Sequence, residues 1–504
     1  MEFPRSSGVL LPVFSLPHGP GIGDLGEGAY RFVDFLKSAG QTIWQLLPLG
    51  PPALGDSPYS SYSAFAGNPL LISCDALLRS GLLALEDLNA AGYSQENQGH
   101  VNYAQARAIK IPLLEVAFLN FKANQQSPLH PEFAEFCTRN ESWLTDFARF
   151  DAIAADTGNP DWSTWDATLV RREPAALQTV DNRLVEAISF SKFQQFLFAK
   201  QWQQLKTYAN AAGIRMYGDM PIFVAYESVD VWTNQNLFLL NAAGRPVVVA
   251  GVPPDYFSTT GQKWGNPLYD WSKIADQNYA WWTSRFRQAF EFYDILRIDH
   301  FRGFESYWEI PADAETAIDG QWMQGPGEAP FHAAQAALGE LAIVAEDLGL
   351  ITDEVHALRE RLGFPGMRVL QFGCDNDDDP YHRPDSYPSH CVAYTGTHDN
   401  DTLMGWYNER QQNGTDNSIV DRFLADDGQP VYQHLIQSVL NSSADTAVIP
   451  MQDLLGLGSE ARTNTPGRPD KNWGWRCKAA ELSDQLAAEL KSWTEASDRS
   501  IQPS

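Results

Sequence analysis

Acidic side chains end five of the apolar segments that the sequence predicts to be strands. They are Asp219, Asp299, Glu346 with Asp347, Asp399 and Asp453. Each one alone is most simply an N-cap of the following helix. Five on one rim are harder to explain in that way, because clustered like charges are costly. Paired carboxyl groups are the chemistry of glycoside cleavage, in which one attacks the anomeric carbon and the other protonates the leaving oxygen.

Asp299 and Glu346 are predicted to be this pair. Arg297 lies two residues before Asp299, so both side chains share one strand face, and the cation would keep the aspartate ionised as a nucleophile. A glutamate among carboxylates and aromatic rings would have a raised pKa, which suits an acid/base. Neighbouring strands about 4.8 Å apart can supply the separation of about 5–5.5 Å that retaining cleavage uses. Asp399 and His398 would grip sugar hydroxyls.

A recurring helix, glycine and strand pattern must position these side chains. In its first instance Asp24 and Glu27 predict a capping box before an amphipathic helix that stops at Gly40. Eight strands are predicted, near 9–16, 42–49, 214–219, 295–299, 341–347, 367–373, 391–399 and 446–453. Strands that alternate with helices predict an α/β fold, a (β/α)8 TIM barrel. The alternative is an open doubly wound sheet, but no GxGxxG follows the first strand.

The uneven spacing of the strands predicts insertions into one catalytic barrel that spans 1–504. A mostly helical subdomain would occupy about 70–210, between strands 2 and 3. A second insertion, about 221–294, would contain a cover loop at 252–269 that is rich in proline, glycine and aromatic residues. The tail after about Trp473 is helical in pattern, so no C-terminal β-domain is expected.

Composition limits the partners and the compartment. The 504 residues are 44% hydrophobic and 20% charged, which is typical of a folded protein, and the net charge is −27. That charge argues against nucleic acid and against an anionic membrane surface as partners. No uninterrupted apolar segment is as long as the roughly 18 residues that a membrane-spanning helix requires. Five scattered cysteines without CxxC predict reduced thiols and a cytoplasmic protein.

No metal and no cofactor is expected. The histidines show no HExxH spacing, and neither a P-loop nor a GxSxG elbow occurs. The segment 375–380, DNDDDP, is better interpreted as a solvated acidic turn than as a calcium loop, since the glycine and the terminal glutamate of that loop are missing.

Three motifs in order, LRIDHFRG, IVAEDLG and TGTHDN, resemble the catalytic regions of the α-amylase superfamily. The closer resemblance is to the 4-α-glucanotransferases, also called amylomaltases or disproportionating enzymes. It rests on GDSPYSSYSAFAGNPLLI, GDMPIFVAYESVDVW, PPDYFSTTGQKWGNPLY and RTNTPG, and it covers nearly the whole chain. The resemblance implies transfer of an α-1,4-glucan segment to glucose or to another glucan, without the C-terminal β-domain of ordinary amylases.

The resemblance also implies roles for individual residues. Asp299 would be the nucleophile, Glu346 the acid/base and Asp399 the transition-state stabiliser. The expected substrate-binding residues are Arg297, His398, Asp219, Ser57, Tyr59, Trp264, Tyr256, Phe257, Asp347 and Asn464. One departure is Leu54, which stands where some members carry an aromatic residue of a second glucan site.

Two other functions remain open on the sequence. An amylase-type hydrolase of α-1,4-glucans predicts a calcium site and a β-rich C-terminal domain, and neither is found in the sequence pattern. A non-catalytic glucan-binding protein predicts the loss of a catalytic carboxylate, whereas all three positions are filled.

Overall fold

The computed structural model of the chain describes residues 4–53, 55–95, 99–254, 258–374, 380–468 and 470–500. These residues contain twelve strands and nineteen α-helices. The strands are β1 (Ser6–Leu10), β2 (Ile43–Gln45), β3 (Arg215–Pro221), β4 (Val248–Val252), β5 (Gln262–Pro267), β6 (Ile295–Asp299), β7 (Ser306–Pro311), β8 (Gln321–Gln324), β9 (Ile343–Ala345), β10 (Gly366–Val369), β11 (Cys391–Tyr394) and β12 (Thr446–Pro450).

The helices lie between and after these strands. They are α1 (Glu27–Ser38), α2 (Cys74–Arg79), α3 (Leu85–Ala90), α4 (Tyr103–Ala123), α5 (Leu129–Arg139), α6 (Glu141–Thr157), α7 (Ala167–Val170), α8 (Pro174–Arg183), α9 (Val185–Ala211), α10 (Val229–Thr233), α11 (Trp271–Asp276), α12 (Ala280–Phe292), α13 (Ala329–Leu338), α14 (Asp353–Arg361), α15 (Leu403–Gln412), α16 (Ser418–Asp421), α17 (Val431–Leu440), α18 (Met451–Leu454) and α19 (Asp484–Ala496). Among the described residues no helix has the length and apolar character to cross a membrane.

Eight parallel strands form the barrel. Their order is β10-β11-β12-β1-β2-β3-β6-β9, and a backbone hydrogen bond of 3.0 Å from Ala345 to Pro365 links the two ends of this order. The prediction of a (β/α)8 barrel is therefore confirmed. Six predicted strands are too long, namely those at 9–16, 42–49, 341–347, 367–373, 391–399 and 446–453. In the first and the last of them a proline, which cannot donate to a strand ladder, lies near the observed end. Beyond Pro12, residues Val13–Ser15 form a 3-10 turn, and beyond Pro450 the chain enters α18, which carries Asp453.

The barrel interior sets the direction of the site residues. One buried cluster takes side chains from all eight strands: Leu10, Ile43, Tyr217, Ile295, Val344, Met367, Val392 and Val448 are among its members. Side chains two residues apart on a strand point to the same face. Tyr217 is followed two residues later by Asp219, Ile295 by Arg297, and Val344 by Glu346. These polar side chains consequently form a layer directly above the apolar filling.

A second, antiparallel sheet stands outside the barrel. Its order is β5-β4-β7-β8, so it combines strands from before and after β6 in the chain. The sequence pattern predicted only a loop-rich insertion in this region. The described residues between β2 and β3 form the eight helices α2–α9, and α9 is the longest of them with 27 residues.

Candidate active site

Arg297 is the centre of the polar layer above the barrel interior. Its Nη1 donates to both carboxylate oxygens of Asp219, at 2.8 and 2.6 Å, and its Nη2 lies 3.0 Å from Oδ1 of Asp299. The register of β3 and β6 sets Asp219 opposite Arg297. Because the Arg297 side chain is only 3% exposed, its charge acts on both carboxylates with little screening by water.

Glu346 follows β9, the strand that pairs with β6. Backbone amides of His300 and Leu348 donate to its two oxygens, at 2.6 and 2.8 Å, and fix the direction of the carboxyl group. Burial raises the pKa of Glu346 to about 7, while Arg297 lowers it and Asp299 raises it further. A carboxyl with this pKa is still protonated near neutral pH and can act as a general acid.

Asp299 ends β6 next to Glu346 in the register of the barrel, since Ile298 pairs with Ala345. Burial raises the pKa of Asp299 to about 6. Arg297 opposes this shift, and Asp219 and Asp399 add to it. The sequence argument considered only the arginine, so it missed the two other carboxylates. The side chain keeps 28% exposure and the ion pair, so Asp299 ionises before Glu346. One carboxylate and one carboxylic acid then coexist in the site.

Asp399 is held in its charged form by neighbours on two segments. His398 Nε2 lies 3.3 Å from Oδ2, and Asn464 donates to Oδ1 at 2.6 Å. Burial raises the pKa of Asp399, but His398 and the Asn464 hydrogen bond outweigh burial and hold it well below its usual range. Arg462 of the RTNTPG motif donates to the Asp399 carbonyl at 2.7 Å and steadies the same loop.

Tyr59 joins the two halves of this layer. Its hydroxyl donates to Oδ2 of Asp219 at 2.7 Å, and its ring stacks on His398 with centroids 5.1 Å apart and an interplanar angle of 17°. Ser57, two residues earlier, accepts the Tyr59 amide at 3.3 Å. Trp473 lies 5.9 Å from the Tyr59 ring and was not predicted as a site residue. The aromatic NWGWR segment that contains Trp473 was the sequence feature that could have indicated this position.

Trp264 lies at the edge of the polar layer, against His300. It is 39% exposed on β5, and its ring meets the His300 ring edge to face at 4.9 Å. Tyr256 and Phe257, the other aromatic residues predicted for the cover loop, lie outside the described residues, as does the acidic segment 375–379. Leu54 also lies outside them.

Asp347 points away from the other predicted site residues. Its side chain is fully buried, and it accepts the Met367 amide at 2.6 Å and the Tyr381 hydroxyl at 3.2 Å. Arg359 Nε lies 3.3 Å and Arg368 Nη1 3.8 Å from its Oδ2. Alternation along the strand could have indicated this, because Val344 and Glu346 face inward and their neighbour faces the helices.

Asp453 has a raised pKa, and its hydrogen bonds go to the barrel scaffold and not to Asp299, Glu346 or Asp399. It accepts the Thr395 hydroxyl at 2.6 Å and the Leu403 amide at 2.7 Å, and so braces both ends of the loop that carries His398 and Asp399. Burial raises its pKa to about 7. Within the part of the chain that the structure describes, no group of three or more metal-binding side chains is arranged to hold an ion.

The chain is similar to known proteins over nearly its whole length. The model of the 4-alpha-glucanotransferase family matches residues 11–482. A 4-alpha-glucanotransferase of Thermus thermophilus is 47% identical over 507 residues, covering 99% of this chain and 100% of that one. A 4-alpha-glucanotransferase of Synechocystis sp. is 46% identical over 500 residues, covering 99% and 98%. Amylomaltase from Streptococcus agalactiae, solved in complex with acarbose, is 38% identical with a TM-score of 0.94, covering 99% and 100%.

Proposed function

The chain belongs to the 4-alpha-glucanotransferase family, and we propose that Asp299, Glu346 and Asp399 perform the reaction of that family here. The enzyme transfers a segment of a 1,4-alpha-glucan to a new 4-position of an acceptor, which is glucose or another 1,4-alpha-glucan. Configuration is retained, so the transfer takes two displacements through a covalent glycosyl-enzyme. The contacts described above supply a role for each carboxyl group.

In the first displacement, Asp299 Oδ attacks the anomeric carbon of the donor while Glu346 gives its proton to the glycosidic oxygen. The C1–O bond breaks, and the reducing-end part of the glucan leaves as an alcohol. Positive charge that develops on the sugar ring is stabilised by Asp399, whose lowered pKa keeps it ionised.

In the second displacement, Glu346 is a carboxylate and takes the proton of the acceptor 4-hydroxyl. The acceptor oxygen then attacks the anomeric carbon, the bond to Asp299 breaks, and Glu346 is protonated again. The observation that carries this proposal is the pairing of β6 with β9. It brings Asp299 and Glu346 to adjacent strand ends with pKa values of about 6 and about 7.

The surrounding side chains are proposed to bind the glucan. Those assigned to sugar contacts are Arg297, His398, Asp219, Ser57, Tyr59, Trp264, Tyr256, Phe257 and Asn464. For Asp347 we propose a supporting role, because its fully buried carboxylate is already bound by Met367 and Tyr381. The neutral glucan suits a chain with a net charge of −27, and no nucleic acid is proposed as a partner. The scattered cysteines without a CxxC motif support the cytoplasm as its compartment.

Transfer requires that a sugar hydroxyl reaches the covalent intermediate before water does. We assign the shielding to the loop 252–269, within which Val252 at the end of β4 pairs antiparallel with Gln262 at the start of β5. Replacing both Tyr256 and Phe257 by serine should raise the ratio of hydrolysis to disproportionation of maltotriose. An unchanged ratio would reject this role for the loop.

Incubation with maltotriose separates the candidate functions. A transferase gives glucose together with a ladder of longer oligosaccharides. A hydrolase gives only shorter products, and a glucan-binding protein without activity gives no change. The Asp299→Asn variant serves as the inactive control in the same assay.

A further inference from the structure

Trp322, on the edge strand β8, is an exposed tryptophan that is braced from two sides. The guanidinium carbon of Arg302 lies 3.9 Å from the centre of its ring. Trp308 meets the ring from the side, with centroids 5.2 Å apart and an interplanar angle of 69°. Trp322 nevertheless remains 41% exposed. It therefore presents a flat apolar surface whose orientation is fixed before anything binds, which lowers the entropic cost of binding.

Arg302, which lies against this ring, is itself fixed. It is 5% exposed, its Nη1 donates to the Leu350 carbonyl, and its Nη2 donates to the Ser306 hydroxyl at 3.2 Å. The guanidinium is thus tied to the loop after β9 and to the start of β7. Because both hydrogen bonds are made to groups of the protein itself, Arg302 is a rigid support for Trp322 before any ligand binds.

Trp322 lies on the Glu346 side of the polar layer above the barrel interior. Arg302 follows two residues after His300, whose amide donates to Glu346, and two residues span at most about 7 Å. Leu350, which is 55% exposed, follows four residues after Glu346. Glu346 is the group proposed to protonate the leaving oxygen. Trp322 is consequently close to the position of the leaving part of the glucan. The acceptor binds at the same position in the second displacement.

The two edges of the small sheet carry similar side chains. Edge strand β5 carries Gln262 and Trp264 on one face, and edge strand β8 carries Trp322 and Gln324 on one face. Trp264 contacts His300, and Trp322 contacts Arg302. Flat rings beside amides suit a sugar, whose faces are apolar and whose rim carries hydroxyls.

We propose that Trp322, with the amide of Gln324 two residues along the same face of β8, is a glucan-binding position on the acceptor and leaving-group side of the site. Its occupant is a 1,4-alpha-glucan chain that extends past the sugars bound at the polar layer. This inference rests on the proposed function, because it places the leaving group by the role of Glu346. A short oligosaccharide does not reach Trp322, whereas a long one gains an additional contact.

The test compares substrates of two lengths. Trp322→Ala should raise KM for maltoheptaose about three- to tenfold, in line with the energy of one aromatic contact, with kcat unchanged. KM for maltotriose should change less than twofold, and Trp322→Phe should restore most of the maltoheptaose affinity. The matched control is Tyr208→Ala, which removes a ring that is 40% exposed on α9, and it should change neither KM. Equal changes for both substrates, or no change for either, would overturn the proposal.

Binding without turnover separates this proposal from the proposed function. In the Asp299→Asn background, titration calorimetry should show maltoheptaose binding about three- to tenfold more weakly when Trp322→Ala is added. An unchanged dissociation constant would overturn the site. Absence of transfer by the wild-type chain would instead reject the proposed function. The binding measurement does not depend on turnover, so a dissociation constant that changes with Trp322 would still support the binding position.

Discussion

Arg297 and Arg499 are buried at opposite ends of the barrel and have different kinds of partners. At the carboxyl ends of the strands, Arg297 contacts the carboxylates of Asp219 and Asp299. At the amino ends, Arg499 is fully buried and donates five hydrogen bonds to backbone carbonyls. These belong to Ser6, Leu440, Ser442, Ala444 and Asp445.

The charged partners of Arg297 and the neutral partners of Arg499 show how one barrel places activity and stability at different ends. At the Arg297 end several carboxyl groups share one cation, so burial leaves Asp299 and Glu346 with raised pKa values and a cost in stability. At the Arg499 end the partners are neutral backbone carbonyls, three of which also accept from Arg5. Burial lowers the pKa of Arg499 to about 9. We infer that the first region is adapted for chemistry and the second for joining β1, β12 and the chain after α19.

The largest expected effect is the loss of activity in Asp299→Asn. Without the nucleophile, kcat for maltotriose disproportionation should fall by about 10⁴-fold or more. Stability should stay the same or increase, because one of several clustered charges is removed. Chemical denaturation of the purified variant gives the second quantity. A variant that loses stability as well as activity would break the contrast between the two ends.

Arg499→Met should have the opposite signature. Five hydrogen bonds from a buried guanidinium to backbone carbonyls are lost, so the free energy of unfolding should fall by about 3–5 kcal/mol. Activity per folded molecule at 25 °C should remain within about twofold, since Arg499 is at the far end of the strands. Arg499→Lys is the matched control, and it should recover part of the stability. A variant with wild-type stability would show that the five hydrogen bonds are not what holds this end together.

The pH dependence of kcat/KM should have two limbs. Below about pH 6 Asp299 becomes protonated and loses its nucleophilicity, and above about pH 7 Glu346 loses the proton that the leaving oxygen needs. Each limb should approach a tenfold fall per pH unit, and Glu346→Gln should abolish the alkaline limb along with most of the activity. An alkaline limb that persists in Glu346→Gln would assign the acid to another group.

The smallest expected effect concerns Asp453, an acidic residue at the carboxyl end of the barrel that has no proposed contact with substrate. Its pKa is raised from about 3.9 in an unfolded chain to about 7, so its contribution to stability is present at low pH and is lost as pH rises through 7. Asp453→Asn should therefore gain about 1–3 kcal/mol relative to wild type between pH 4 and pH 8. Parallel stability curves for the two proteins would contradict this burial effect.

The strand ends of the site could be predicted because the information is local. Asp299, Glu346 and Asp399 each follow a short apolar run, and alternation along the strand sets Arg297 on the face of Asp299. The same rule also separates Glu346 from its neighbour Asp347, although the sequence prediction did not use it there. Barrel topology then brings the strand ends together without any further detail.

Long-range pairings could not be predicted from one sequence. Asp24, predicted as part of a capping box, has no role as the N-cap of α1 and instead binds Lys110, 86 residues away, at 2.7 Å. Nothing near Arg499 indicates that its carbonyl partners come from two separate segments. The small sheet pairs β4 with β7, which lie on either side of β6 in the chain. Such contacts depend on the assembled fold, so local patterns carry no signal for them.

The central claim is that Asp299 forms a covalent bond to the donor sugar. The most direct measurement uses Glu346→Gln with α-maltotriosyl fluoride, whose fluoride leaves without a proton, while the missing base slows the second displacement. Mass spectrometry of the intact chain and of its peptides should find one maltotriosyl group on the peptide that contains Asp299. A group attached to another residue, or rapid turnover to the inverted β-anomer with no adduct, would contradict the mechanism.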